Sequence, residues 1–574
     1  SIILERSWQM ELTIVIGGAA GQGLNTVDYL LGKTLFRMGY NIFTAQDYMS
    51  RIRGGHNFVT IRFGTVPVES VSDEIDILIA LNEETISLHK DRVVPGGLIL
   101  YDGEAETGGK ELLQIKAKEI ARDINPRGVN TVFVGAVLKL LSLDCAEGEK
   151  VIREYFSRED IQEDNIKLLQ AGYNLVDSRI KLEKASRAGD QIYINGNDAL
   201  AMGAAVAGVK FYVAYPMSPA TGIMNYLAGK QKELGLVVEQ AEDEIAAINM
   251  ALGASFSGIR AMTGTSGGGF ALMTEAVGLA GIGEIPVVIA DAQRPGPATG
   301  LPTRTEQGDL LFAINAGQGD LPLVVLAPRN HEDLFRQAFR AFDLADKYRI
   351  PVIILTDQYL ADSTCNVPAF DFSSLKVEYY LMEQGEIREY ANNEEKVFKP
   401  YLLTEDGISP RAYPGLIPGQ VVLMDSDEHD EYGHITEDGE VRKAMVEKRA
   451  RKLDKLCGED LEEPLYLGGE EIDYLLIGWG STYGALKEAR EILEEEGFKV
   501  GLLSYSDVWP LPVKRLNDFR DKELVIVENN ATAQFGRLIS SETGIRAKYN
   551  ILKYDGRPFT AREIVERFKE EVIK

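Results

Sequence analysis

The run TGTSGGGFALMTEA, residues 263–276, reads as the end of a strand, a glycine turn and the start of a helix. Its three consecutive glycines, Gly267, Gly268 and Gly269, let a backbone approach a ligand closely at a helix N-terminus. The lysine of a GxxxxGK[ST] loop is missing, which excludes a nucleoside-triphosphate site of that kind. Just upstream, VVEQAEDEIAAINMALGAS (237–255) opens a helix with Glu242, Asp243 and Glu244. Helix polarity accounts for the first two. Glu244 differs, because helical spacing sets it on one face with Ala247, Ile248 and Ala251. A carboxyl held among small apolar side chains loses hydration and can share a proton with a ring nitrogen, which is catalytic equipment.

Two further loops belong with this helix. YPMSPAT (215–221) follows a strand, and Pro216 and Pro219 stiffen it around the Ser218 hydroxyl. In parallel sheets ligands bind at such C-terminal strand edges, although a plain rigid turn has the same composition. AQRPGPATGLPTRTEQGDL (292–310) carries Arg294, Thr299, Thr303 and Arg304 in a Pro/Gly-rigid loop. An arginine there can grip a carboxylate with two hydrogen bonds, Arg304 being the competing candidate and a surface ion pair the bland reading.

Working outward, strands are expected at Phe211–Ala214, 259–263, 286–290, 323–326 and 350–355, with Arg260 pointing away. Helices are expected at 242–255, 269–282 and His331–Tyr348. Strand–helix alternation implies a mostly parallel sheet with buried strands. At the N-terminal end, strand 12–16 enters GGAAGQG (17–23), followed by a helix with Leu24, Val27, Leu30, Leu31 and Leu35 on one face. Strands at Ile75–Ala80, 97–101 and 131–134 and a helix at 135–141 continue the pattern. The glycine turn serves either packing or a phosphate. With SRIRGGH (50–56) it forms a candidate anion or partner site: Gly21, Gly23, Arg53, Gly54 and Gly55.

The fold expectation is therefore α/β, with three parallel-sheet domains: a Rossmann-like domain at 10–185, a second at 192–365 and a third at 466–574. The charged, proline-dotted stretch 366–465 is an extended excursion ending in a charged helix at 442–456. The third domain reads as strand YLLIGWG, a helix at 483–496, strand VGLLSYS, turn VWPLP, strand ELVIVEN and a final helix.

Composition narrows the class. Acidic residues outnumber basic ones 88 to 61, for a net charge of −27, which disfavours nucleic acid as a partner. Three separated cysteines cannot ligate a four-cysteine cluster and do not suggest a disulfide scaffold, so a cytoplasmic protein is expected. No metal site is expected: the five histidines form no HExxH, and His429 and His434 fall in a run read as a solvated loop. No stretch is long and apolar enough for a membrane span, and SIILERSWQM does not read as a signal peptide.

Together these segments resemble the 2-oxoacid:ferredoxin oxidoreductases, specifically the α subunit with the γ domain fused at its N-terminus. GGAAGQG with SRIRGGH resembles the γ-domain signature, and YPMSPAT stands where the family has YPITP. AQRPGPATGLPTRTEQGDL resembles RGGPSTGLPT(K/R)TEQGDL, and DEHDEYGHITED resembles the linker of 2-oxoglutarate-type subunits. VWPLP and VENNATAQFG resemble the transketolase C-terminal-like domain. The resemblance implies that 192–365 is the pyrimidine-binding domain for thiamine diphosphate. Glu244 would hydrogen-bond N1′ of the aminopyrimidine and favour the imino tautomer that generates the ylid, with Tyr215 and Pro216 beside the cofactor. Arg294, Ser218 and, more weakly, Thr303 would contact substrate. Met217 and Ser218 depart from the family's Ile-Thr, so the hydroxyl keeps its place but loses the methyl that restricts its rotamer.

No GDG…N segment is present for Mg²⁺ and diphosphate. The family places these, with a 4Fe–4S cluster, on a β subunit, giving an (αβ)₂ assembly that reduces ferredoxin and uses coenzyme A. The implied substrate is a 2-oxoacid, 2-oxoglutarate favoured over pyruvate, branched-chain or broad use. A non-oxidative thiamine enzyme and a non-catalytic scaffold subunit are the competing readings.

Overall fold

The computed structural model describes residues 11–50, 55–187, 189–393 and 395–573. It is an α/β structure with three sheets, divided between two compact units. The first unit holds the chain up to Asn195 with Asp362–Ala369 and Thr560–Glu563, and the second holds the rest.

In the first unit the parallel half of the sheet runs Glu111–Gln114, Val93–Tyr101, Ile75–Ala80, Glu11–Ala19. Antiparallel ladders then add His56–Gly64, Asn41–Asp47, Thr364–Pro368 and Gln191–Asn195. The last two strands are the points where the chain leaves and re-enters this unit, so both ends of the span 192–365 are strands of the first sheet. Asn366 fastens them: its side chain accepts from the Ile42 amide (2.7 Å) and donates to Gln191 (2.8 Å) and Asn41 (3.2 Å).

The strand expected at 131–134 is instead part of the helix Val129–Leu140. Ten of its twelve residues are buried, so neither a period of 2 nor one of 3.6 survives in the pattern. It packs on Glu159–Leu175 through two glycines: a Cβ at Gly135 would collide with the Leu169 carbonyl, and one at Gly172 with the Val132 carbonyl.

In the second unit a seven-stranded sheet runs Asp507–Trp509, Val324–Leu326, Pro351–Asp357, Val287–Gln293, Ala261–Thr265, Phe211–Ala214, Val237–Gln240. All its ladders are parallel except the outermost, where residues read as part of the turn VWPLP form a strand against Val324–Leu326. The third sheet is Leu465–Leu467, Val500–Tyr505, Tyr474–Trp479, Glu523–Glu528, Tyr549–Leu552, again parallel except for the first pair. The two sheets share one core, in which Val287, Ile289 and Val325 belong to the same cluster as Trp479, Tyr505 and Phe535. The boundary near 466 thus separates sheets, not hydrophobic cores.

The excursion has a small apolar cluster of its own (Met382, Ile387, Phe398, Ile417), but buried charges tie it to the larger sheet's helices. Arg260, expected to point away, is 3% exposed and donates to Asp346 (2.7 Å), which also pairs with Arg411 (2.5 Å) of the excursion. It precedes its strand, which leaves the side chain free to reach helix His331–Tyr348. His429 is likewise not solvated. It is fully buried with its ring 4.1 Å from that of Tyr401, because Glu428 is drawn down onto Arg449 (2.8 Å) beside it. His434 is exposed. In helix Gly439–Glu459, Lys448 and Lys452 are wholly buried and both pair with Glu284. No helix among the described residues is long and apolar enough to cross a membrane.

Candidate active site

Helix Glu244–Phe256 starts where the charge pattern predicts. Asp243 is its N-cap and accepts from the Ala246 amide at 2.7 Å, while Glu242 is exposed. Glu244 is 4% exposed, and its Oε1 is buried without a hydrogen-bond partner. A buried acceptor left unsatisfied costs roughly 1–3 kcal/mol, so its persistence points to a donor that arrives with a ligand.

The neighbours of Glu244 come from the strand–turn–helix at 263–276. A Cβ at Gly269 would collide with both the Glu244 carboxyl and the Thr265 hydroxyl, so only glycine fits there. Thr265 Oγ1 also lies 3.9 Å from Met217 Sδ, which brings the loop 215–219 against the same spot. Arg294 closes the group from the other side: its Nη1 donates to the Ser218 carbonyl at 2.9 Å. The structure therefore brings Glu244, Thr265, Gly269, Met217, Ser218 and Arg294 into one constellation at the C-terminal ends of parallel strands. Arg294 engages the backbone of Ser218, and the Ser218 side chain is exposed. Tyr215 is 40% exposed and Pro216 partly buried in the same loop.

Thr303 is buried within the loop 294–309. Arg304 lies against Gly556, and the adjoining Thr305 amide donates to the Gly556 carbonyl (3.3 Å). The loop's far end is fastened to the third sheet: Gln307 donates to the Trp479 carbonyl (2.7 Å) and accepts from the Asn529 amide (3.0 Å). Rigid anchoring of this kind holds Arg294 in place.

Sequence reading missed two acids here. Asp291 is fully buried in strand Val287–Gln293, and neither of its oxygens has a hydrogen-bond partner. Asp309 ends the loop, with its Oδ2 also buried and unpartnered. Burial, reinforced by Asp309, pushes the Asp291 carboxyl far above its ordinary range. Burial takes Asp309 up to about 6, with Arg294 opposing the shift. Glu306 also rises to about 6, by burial and by the charge of Asp309. The signal available in the sequence was an aspartate inside the apolar run VVIADAQ.

The rim of this constellation is apolar and uncovered. Ile245, Met250 and Leu272 are 49, 40 and 50% exposed. Helix Gly267–Ile282 is apolar all round except for Thr274 and Glu275, and such a helix is ordinarily covered on every side.

The first unit holds a separate crevice of about 860 Å³ beyond the C-terminal ends of strands Glu11–Ala19, Ile75–Ala80 and Val93–Tyr101. Gly21, Gly23, Asp102, Lys118, Arg127 and Arg158 are among its lining. Gly21 and Gly23 take φ of +88° and +75°, which favours glycine. Gly55 is not with them: it sits in the turn before His56–Gly64, packed on Met49. Arg53 and Gly54 lie outside the described residues. The described residues hold no group of three or more His, Cys, Asp or Glu able to bind a metal ion.

Three families match successive stretches of the chain. Residues 202–448 match the family described as pyruvate flavodoxin/ferredoxin oxidoreductase, thiamine diP-bdg. Residues 13–175 match pyruvate ferredoxin/flavodoxin oxidoreductase, and residues 472–572 match pyruvate:ferredoxin oxidoreductase core domain II. The chain is 35% identical to the 2-oxoacid:ferredoxin oxidoreductase subunit alpha of a Sulfolobus species, over 97% of this chain and 96% of that one. It is 28% identical to the 2-oxoglutarate oxidoreductase subunit KorA of Mycobacterium tuberculosis, over 96% and 90% of the two chains. It also superposes on the 2-oxoglutarate:ferredoxin oxidoreductase from Magnetococcus marinus, solved with 2-oxoglutarate, coenzyme A and succinyl-CoA bound. That match has a TM-score of 0.90 and 31% identity, covering 98% of this chain and 100% of the other.

Proposed function

Because the chain belongs to the alpha subunits of the 2-oxoacid:ferredoxin oxidoreductases, we propose that the Glu244 constellation is the pyrimidine-side half of a thiamine-diphosphate site completed by a second polypeptide. The observation that carries this is the buried, unpartnered Glu244 Oε1 beneath an uncovered apolar rim. The residues present fit an aminopyrimidine: one carboxylate acceptor, a glycine platform and small apolar walls. They do not provide for a diphosphate with Mg²⁺, because no GDG…N segment exists, nor for a 4Fe–4S cluster, with three cysteines. Those groups belong to a β subunit that covers Ile245, Met250 and Leu272, and the whole is an (αβ)₂ assembly.

The proposed reaction is oxidative decarboxylation of a 2-oxoacid with coenzyme A, giving acyl-CoA and CO₂ and passing electrons to ferredoxin. Bound thiamine diphosphate supplies the nucleophilic carbon and the electron sink. This chain's own residues do three things. Glu244 holds and moves a proton at N1′ of the pyrimidine. Arg294, steadied by the Ser218 carbonyl, binds the substrate carboxylate. The rigid loops carrying Ser218, Tyr215, Pro216 and Thr303 orient the substrate and exclude water. The likeness to the Magnetococcus enzyme, solved with 2-oxoglutarate bound, supports 2-oxoglutarate as the favoured substrate.

The test is co-purification with the β partner, then 2-oxoacid- and coenzyme A-dependent reduction of a low-potential dye across a substrate panel. Aldehyde release without dye reduction, or no turnover at all, would sink the reading. In that assay Arg294→Ala should lower kcat/KM by roughly 10- to 150-fold, the equivalent of about 1.5–3 kcal/mol for one charged hydrogen bond. An unchanged value would remove Arg294 from the substrate site.

The first unit's crevice is the proposed seat for the nucleotide end of coenzyme A. The crevice lies beyond the C-terminal ends of neighbouring parallel strands, where such sheets bind ligands, and Lys118 and Arg127 supply cations, with Arg158 paired to Asp160. Lys118→Glu with Arg127→Glu should raise the KM for coenzyme A about tenfold or more through charge reversal, leaving the 2-oxoacid KM alone. Equal changes in both constants would count against the assignment.

A further inference from the structure

The loop carrying Ser218 leaves strand Phe211–Ala214 where its ladder to Val237–Gln240 ends, at the pair Ala214 and Gln240. From there to helix Thr221–Leu234 its course depends on what grips it. Two side chains hold adjacent carbonyls. Arg294 Nη1 donates to the Ser218 carbonyl at 2.9 Å, and Asn197 Nδ2 donates to the Pro219 carbonyl at 3.2 Å. Asn197 is 4% exposed, and none of the loops singled out in the sequence contains it.

The mount that carries Asn197 is rigid. It is the second residue of helix Gly196–Val206, whose glycines seat it directly on neighbouring backbone. A Cβ at Gly196 would collide with the Leu360 carbonyl, and one at Gly203 with the Phe335 carbonyl. From that mount the Asn197 side chain crosses to the start of helix Thr221–Leu234. A Cβ at Gly222 would lie only 2.6–2.8 Å from Nδ2, Cγ and Cβ of Asn197, so glycine at 222 is what admits it.

Resting on the functional reading above, we infer that Asn197 is a positioning residue for substrate: by fixing the Ser218–Pro219 segment it fixes where Arg294 presents its guanidinium to the 2-oxoacid carboxylate.

A carboxamide suits this task. Pro219 is buried, so its carbonyl requires a donor. Asparagine supplies one without adding a charge near a guanidinium that has to meet an anion. An aspartate of the same shape would set a carboxylate oxygen against the carbonyl oxygen, two acceptors facing each other. Losing the bond releases the carbonyl next to the one that steadies Arg294. A misplacement of about 1 Å can cost about 10²-fold. Arg294 keeps its own bond to Ser218, so the expected loss is smaller, about tenfold.

The experiment is steady-state dye reduction by the co-purified complex, with 2-oxoacid and coenzyme A varied separately. Asn197→Ala should raise the KM for the 2-oxoacid about tenfold, with kcat and the KM for coenzyme A within about twofold of wild type. The factor should be the same for every 2-oxoacid that turns over, because all present the same carboxylate. Gly222→Ala, which disturbs the bond from the other side and leaves Asn197 in the chain, should reproduce the defect. Asn197→Asp, which lacks the donor, should share it. In an Arg294→Ala background, Asn197→Ala should add less than about twofold, since residues acting through one contact are not additive.

A merely structural role predicts otherwise: kcat and both KM values changing together, or the full loss persisting in the Arg294→Ala background. Either result overturns the inference, as does a factor that varies with the 2-oxoacid side chain. A wild-type KM in any of the three single variants overturns it as well. Should Asn197→Ala fail to assemble, Gly222→Ala carries the same test. A wild-type complex that reduces dye with no 2-oxoacid overturns the functional reading itself. A normal wild-type response with unmoved variants overturns this inference alone.

Discussion

Glu244→Gln is expected to abolish nearly all turnover of the proposed αβ complex while leaving its assembly intact. The amide keeps the shape of the side chain, so Ala247, Ile248 and Ala251 pack as before. What it loses is the ability to hold and release a proton, a contribution of roughly 10²- to 10⁴-fold to rate. The effect should fall on kcat, since in the proposed site the group acts on the cofactor and not on the carboxylate assigned to Arg294. Dye-reduction kinetics read the loss, and size-exclusion chromatography reads the assembly. A near-normal kcat would remove Glu244 from the chemistry. Loss of the complex would instead assign Glu244 to the interface.

The second large effect lies away from the site. Glu284→Gln should destabilise the second unit by about 3–5 kcal/mol, the usual penalty for stranding buried charge. Glu284 is 1% exposed and, among the described residues, is the carboxylate paired with the fully buried ammonium groups of both Lys448 and Lys452, with the Arg349 guanidinium also within its field. Burial, against the pull of Glu284, already brings Lys448 down to about 8 and Lys452 to about 7. A lysine depressed in the folded state binds fewer protons there than when unfolded, so stability gains as pH rises from about 7 toward its ordinary value near 10.5. The loss in Glu284→Gln should therefore be largest near neutral pH and shrink in alkali, where the stranded lysines shed their protons. Thermal unfolding at two pH values tests both parts, with a fall on the order of 10 °C in Tm expected near neutrality. An unchanged Tm would mean that the cluster is not a clasp for the excursion.

Both effects bear on what could be read from residues alone. Glu244 was legible because an acid on the apolar face of a helix violates local pattern, and that violation is a property of 13 consecutive residues. Glu284 was not, because a charged helix such as Gly439–Glu459 looks solvated until its partner is known, and Lys448 is 164 residues from Glu284. The same division explains the helix Val129–Leu140, read in part as a strand. Burial on every side erases the period that distinguishes the two.

By itself, then, the amino-acid sequence determined where strands meet helices in the second unit and which loops sit at strand ends, and it singled out Glu244 and Arg294 as candidates. Period, proline, glycine and capping acids are local quantities, and each is written within a few turns of chain. Only the tertiary structure decided that Gln191–Asn195 and Thr364–Pro368 close the first sheet, that two sheets share one core, and that the Asp309 carboxyl fills the space beside Gly267. Those outcomes depend on which distant surfaces exclude water from one another, and no window of sequence contains both partners.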